Sequence, residues 1–117
     1  MAFKFEKLEV WQKALQLSAE IHELTLGFPK DELYVLTSQI KRAADSVSLN
    51  IAEGSTGQTT EVFKQFLGYS IRSGIEVVGC LHIGKLRRLI KPDRFEELYA
   101  KAESVVMMLQ ALRKSLR

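Results

Sequence analysis

Between Glu32 and Gly54 the apolar residues Leu33, Leu36, Ile40, Ala43, Ala44, Val47 and Ile51 recur at intervals of three and four. At 3.6 residues per turn these positions form one unbroken stripe, so the spacing predicts a helix that buries that face in the protein's own core. The opposite side is unusual. It carries Val35, Arg42, Ser46, Leu49, Asn50 and Glu53, a mixture of aliphatic, amide and charged groups where a lone surface helix would show solvated polar residues. A second buried surface is therefore expected on this helix.

The same period governs the rest of the chain. Lys7 to Thr25 predicts a first helix with a narrow polar stripe (Glu9, Gln12, Lys13, Gln16, Glu20, Glu23) and a wide apolar arc that includes Trp11, Leu15, Leu17, Ile21 and His22. Gly27 is expected to cap it in the left-handed conformation, before Phe28-Pro29 turns the chain. The second helix starts between Pro29 and Asp31, with either Pro at its first position or Asp as its N-cap, and stops at Gly54. Ser55-Thr56-Gly57-Gln58 then reads as a loop that lacks the Gly-Lys-Ser/Thr ending of a nucleotide-binding loop. A third helix runs from Thr59 or Thr60 to about Leu89. Phe63, Phe66, Leu67, Ser70, Ile71, Gly74, Val77, Val78, Leu81 and Gly84 line its inner face, with Gly68, Arg72, Ile75, Glu76, Gly79, Ile83 and Leu86 outside. Its four glycines suggest close approach of neighbouring backbones. Pro92 with the Asp93 and Glu96 spacing of a capping box opens a fourth helix, in which Phe95, Leu98, Ala102, Val105, Leu109, Leu112 and Leu116 form a heptad seam.

No segment alternates at the period of a strand. Four helices with short connections predict an all-α, antiparallel, up-down-up-down four-helix bundle, with residues 1–117 as one domain. A chain of 117 residues buries a core of its own without disulfides or a metal. The one cysteine, Cys80, fits a reducing cytoplasm. The N-terminus has no signal-peptide core and no apolar run reaches the ~20 residues of a membrane span.

Chemistry is sparse. His22 and His82 fall on different helices, neither is three residues after a glutamate, and Cys80 and His82 point to different faces. No metal site, cofactor or nucleophile-base pair is read, and a non-enzyme is expected. Trp11 and Tyr34 are read as core aromatics, Cys80 as a packing residue. Charge carries more information. The formal net charge is +3, yet residues 81–117 hold nine basic and four acidic groups. Lys85, Arg87, Arg88, Lys91 and Arg94 are expected at one end of the bundle with Lys30, diluted by Asp31, Glu32, Asp93, Glu96 and Glu97. Arg113, Lys114 and Arg117 close the fourth helix, where they also complement its dipole. Of these, the eight cations from Lys85 to Arg117 are the nucleic-acid-binding residues that the sequence offers for RNA or DNA. Val35, Arg42, Ser46, Leu49, Asn50, Glu53, Arg72, Ile75 and Glu76 are the expected oligomer interface.

One segment also carries a resemblance. Phe28-Pro29-x-x-Glu32-x-Tyr34-x-Leu36-x-x-Gln39-x-x-Arg42-Ala43-Ala44-x-Ser46-Val47-x-x-Asn50-Ile51-Ala52-Glu53-Gly54 resembles the signature of the four-helix-bundle proteins encoded in intervening sequences of bacterial 23S rRNA genes. Leu8-x-Val10-Trp11-Gln12-x-Ala14, Phe66-Leu67 and Arg72-Ser73-Gly74-x-Glu76 resemble the family's first and third helices. The resemblance covers about the first two thirds of the chain. Ser48 stands where family members often carry proline, and Ser73-Gly74 reverses the commoner Gly-Ser order. The resemblance implies a homopentamer and a kinship with the accessory variability determinant proteins of diversity-generating retroelements, which bind nucleic acid and a reverse transcriptase. The resulting expectation is an oligomeric, non-catalytic scaffold associated with RNA, with a protein partner in reach. The competing expectation is a structural or protein-interaction module with no nucleic-acid ligand.

Overall fold

A computed structural model describes residues 2–57 and 59–117. It consists of a 3-10 turn over Lys4–Lys7, α1 (Glu9–Thr25), a short 3-10 turn (Lys30–Glu32), a π turn (Leu33–Thr37), α2 (Ser38–Ser55), α3 (Thr60–Leu86) and α4 (Pro92–Ser115). There is no strand among the described residues. The bundle is elongated, 43 × 23 × 22 Å.

Side-chain contacts fix the directions. On α2 and α3, Gln39 meets Glu76 while Ser70 donates to the Val47 carbonyl, so rising numbers on one helix meet falling numbers on the other. On α3 and α4, Gly68 faces Arg113, Gly74 faces Val106, and His82 stacks edge-on against Phe95. On α1 and α4, Glu20 receives Lys101 and Arg94, while Lys13 shares a groove with Ser104 and Val105. Each helix is thus antiparallel to both of its neighbours. The core runs along the axis through Leu17, Ile21, Leu36, Ile40, Ile51, Leu67, Leu81, Leu98 and Leu109. The heptad seam of α4 is buried from Phe95 to Leu109, and Leu112 and Leu116 pack against its end. Cys80 is buried, as a packing residue should be.

Helix boundaries depart from the sequence reading where local chemistry allows another solution. α1 starts at Glu9, because Phe3 and Glu6 close the preceding 3-10 turn through the Phe3 N–H and the Glu6 carboxylate. Its C-terminus uses no left-handed glycine: no described glycine has positive φ, and Leu26, Gly27 and Phe28 continue as 3-10-type turns instead. Neither Pro29 nor Asp31 caps the next helix. That role falls to Glu32, whose carboxylate accepts the Leu36 N–H at the π turn and receives Arg87 at 3.1 Å. A π turn closes i→i+5 rather than i→i+4, which rotates the stripe and leaves Leu33 exposed while Leu36 stays buried. Beyond it α2 is continuous through Ser48, which donates its hydroxyl to the Asp45 carbonyl, and through Gly54 to Ser55. Gln58, at the end of the expected loop, lies outside the described residues.

Thr59 caps α3, its hydroxyl accepting the Val62 N–H at 3.1 Å. α3 ends at Leu86, three residues before the expected stop, in a Schellman closure: Leu89 N–H reaches the Gly84 carbonyl at 2.9 Å and Arg88 N–H the Lys85 carbonyl at 3.0 Å. Arg88 occupies the left-handed position, with φ 61°. A side-chain-bearing residue there costs about 1–2 kcal/mol. Arg88→Gly should therefore stabilise the fold by about 1 kcal/mol, visible as a melting temperature raised by roughly 4 °C. An unchanged or lower melting temperature would show that the arginine side chain contributes more than its backbone costs. α4 opens on Pro92 at its first position, but the capping box does not form. Asp93 instead accepts the neighbouring Arg94 N–H.

Candidate functional site

Two surfaces attract a functional reading. The first is the outer side of α2 and α3. On α3 the exposed residues Arg72, Ile75, Gly79, Ile83 and Leu86 follow one another at spacings of three and four and so share a stripe. On α2, Arg42, half-buried Ser46, Leu49 and Glu53 are spaced in the same way, with exposed Val35 in the π turn two turns before Arg42. The Gln39–Glu76 hydrogen bond at 3.3 Å joins the two faces near the start of α2, while Arg42, Ser46 and Leu49 continue toward α1. Val35, Leu49, Ile75 and Leu86 are 52%, 59%, 54% and 84% exposed, which leaves a discontinuous apolar surface facing water. A Cβ at Gly79 would meet nothing within 4 Å, so the chain's own packing does not require a glycine there. Arg42, Glu53 and Arg72 form no ion pair among the described residues. Asn50 turns its amide inward to the Ser46 carbonyl.

Beside this surface lies a groove of about 540 Å³ between α1 and α2, lined by His22, Tyr34, Thr37, Lys41, Arg42 and Asp45 among others. Tyr34, expected in the core, is 89% exposed on its rim, because the π turn rotates it outward. Trp11 does pack against the core, with Phe5 edge-on at 4.9 Å. Asp45 Oδ1 accepts both the Ser18 hydroxyl at 2.5 Å and His22 Nε2 at 3.0 Å. Serine and histidine thus share one carboxylate oxygen, and the histidine does not stand between the other two as a nucleophilic relay requires. The cluster pins α1 to α2. Ser18 and His22, four apart, share one face of α1, but neither this pairing nor Asp45 as their common partner was read from the sequence. Thr37 Oγ1 is buried without a hydrogen-bond partner. In an α-helix it would reach the carbonyl one turn back, and the π turn displaces that acceptor. Desolvation, with the Glu76 carboxylate adding to it, pushes the Cys80 thiol above its usual range, so the sulfur stays protonated and unreactive.

The second surface is cationic, and the fold divides it. Antiparallel packing sends Lys85, Arg87, Arg88, Lys91 and Arg94 to one end of the bundle and Arg113, Lys114 and Arg117 to the other, along a 43 Å molecule. The first group is largely occupied. Arg87 pairs with Glu32, Arg94 with Glu20 and Glu97, and Lys85 lies over the Phe95 ring at 4.6 Å. At the second end, Arg113 and Lys114 have no ion-pair partner among the described residues. Gly68, expected on the outer side of α3, faces α4: a Cβ there would come within 3.3 Å of the Arg113 guanidinium.

Among the described residues no helix is long and apolar enough to cross a membrane, and no group of His, Cys, Asp and Glu could hold a metal ion. The sequence model of the 23S rRNA-intervening sequence protein family matches residues 6–111. The chain belongs to that family. A solved structure of a protein of unknown function from the S23 ribosomal protein family of Bacteroides thetaiotaomicron has the same fold, with a TM-score of 0.82 over 91% of this chain and 99% of that one, at 19% identity. The comparison with curated proteins gives no match. The family assignment agrees with the resemblance of the Phe28–Gly54 segment and with the helical architecture. Nothing in the family description or the neighbour's description indicates catalysis.

Proposed function

We propose that this protein is a subunit of a homo-oligomer, a pentamer by family resemblance, that acts as a non-catalytic scaffold on RNA. The observation that carries this reading is the outer face of α2 and α3, where four half- to fully exposed aliphatic residues alternate with unpaired Arg42, Arg72 and Glu53. Aliphatic side chains gain about 25 cal/mol per Å² on leaving water, and charges of both signs on one face suit a complementary patch on a neighbour, which in a ring of five is a different surface of the same chain. Val35, Ser46, Asn50 and Glu76 complete the proposed interface. Oligomerisation also multiplies charge: five copies at +3 each carry +15, and weak sites on each subunit then act together. The setting is expected to be the bacterial cytoplasm, with a protein partner able to join the assembly.

The second reading, a structural or protein-interaction module without a nucleic-acid ligand, is favoured by the ion pairs that neutralise the Lys85–Arg94 end. Native mass spectrometry at micromolar concentration separates the parts of the proposal. The wild-type protein should be oligomeric and Ile75→Asp monomeric with its helical content retained. A monomeric wild type would overturn the assembly reading. Separately, RNA binding should weaken log-linearly with rising salt, and an absence of binding at 50 mM salt would leave the second reading standing.

A further inference from the structure

We infer that the groove between the start of α3 and the end of α4, about 480 Å³ and lined by Lys64, Ile71, Gln110, Arg113, Lys114 and Leu116, is where this protein holds a phosphodiester backbone. The inference rests on the RNA-scaffold reading and assigns its contact surface. Three cations and no carboxylate line the groove. The sequence explains why: α3 has no acidic residue between Glu61 and Glu76, and α4 has none after Glu103. At the opposite end of the bundle Lys30, Lys85, Arg87, Arg88, Lys91 and Arg94 are offset by Glu23, Asp31, Glu32, Asp93, Glu96 and Glu97, so its local excess vanishes. The positive charge of the chain is therefore concentrated in the groove rather than at the end richest in basic residues.

Arg113 is the central group. Its guanidinium has five donors, and none is taken by a side chain or a carbonyl among the described residues. Compensation of the α4 dipole would explain an arginine folded over the last carbonyls. Here the guanidinium lies sideways across α3, on the space left by the missing side chain of Gly68. Lys64 faces it from the first turns of α3, where a helix dipole favours the opposite charge, and its one ion pair, to Glu61, is long at 3.8 Å. Cations on two helices flank an open trough with an apolar floor at Ile71 and Leu116. Such an arrangement suits a strand passing between them, with phosphates bound as ions and forked donors available from Arg113. Arg117 follows at the same end and extends the track.

Phosphate contacts carry no base information, so the groove takes RNA or DNA single strands without sequence preference. The test is fluorescence anisotropy with a fluorescein-labelled single-stranded RNA of scrambled sequence and the DNA of the same sequence, over a series of salt concentrations. Arg113→Ala with Lys114→Ala removes two single-strand phosphate contacts. The salt slope should fall by about 1.4, and affinity at 0.1 M salt by about 25-fold, at about 0.7 per contact. Arg88→Ala with Lys91→Ala, at the opposite end, should change affinity less than twofold. All four positions are exposed, so circular dichroism should show wild-type helicity in both double variants. Equal losses in both variants, or a loss confined to the Arg88/Lys91 variant, would overturn the groove assignment while leaving RNA association intact. Failure of the wild-type protein to bind either strand would overturn the RNA reading itself.

Discussion

Gly54→Val should lower the melting temperature by roughly 12 °C. Gly54 sits in the last turn of α2 with its Cα turned onto α3. A Cβ there would lie 2.4 Å from Phe66 Cβ and 3.2 Å from Phe63 Cδ1. Phe66 Cβ is the root of its side chain and cannot rotate away, so relief demands separation of the two helices. Overpacking of this kind costs about 3 kcal/mol, and a domain of this size loses about 4 °C per kcal/mol. The loss should appear in thermal melts followed by circular dichroism at 222 nm. A shift below 2 °C would mean that α2 and α3 separate at this end without penalty. Gly79 is the useful contrast: a Cβ there meets open space in the isolated chain. The same residue type thus marks a helix crossing at one position and an outward surface at the other.

Phe95→Ala should be as damaging, at about 3–4 kcal/mol and a melting temperature lower by roughly 12–16 °C. Phe95 is buried at the corner where α4 leaves the α3–α4 connection. His82 stacks edge-on against it at 5.0 Å, Tyr99 lies at 5.7 Å, and the Lys85 ammonium sits over its ring. Ile90 fills the adjoining hollow, its side chain pressed where a Cβ on Gly84 would be. Truncation would empty the centre of this cluster and expose a cavity that neither helix can collapse into, since the Schellman closure at Gly84 to Leu89 fixes the chain above it. Phe95→Leu, which keeps most of the volume, should cost less than half as much in the same melts. Equal losses would point to the aromatic contacts rather than to packing volume.

Helix number, helix faces and most of the core were determined by the sequence alone, because each depends on a period of three and four that local geometry enforces. Ile40, Ala43, Ala44, Val47 and Ile51 are buried as their spacing predicts, and so are Phe95, Leu98, Ala102, Val105 and Leu109. The double-sided character of α2 and α3 was legible for the same reason: Leu49 and Ile75 lie opposite the core stripe whatever the neighbours are. Leu33 and Tyr34 were misplaced because a π turn shifts the register by one residue and leaves no clear periodic mark. Gly27 was assigned a left-handed cap that three consecutive 3-10-type turns made unnecessary, while Arg88 took up the left-handed position that composition would reserve for glycine. What only the tertiary structure decided is which residues meet across helices. It set Asp45 between Ser18 and His22, laid Arg113 across Gly68, and paired Glu32 with Arg87. It also set Lys64 of the third helix beside Arg113 and Lys114 of the fourth at one end, away from the Lys85–Arg94 cations at the other. Sequence counts charges along the chain, whereas antiparallel packing decides which of them are neutralised by a neighbour and which are left facing an open groove.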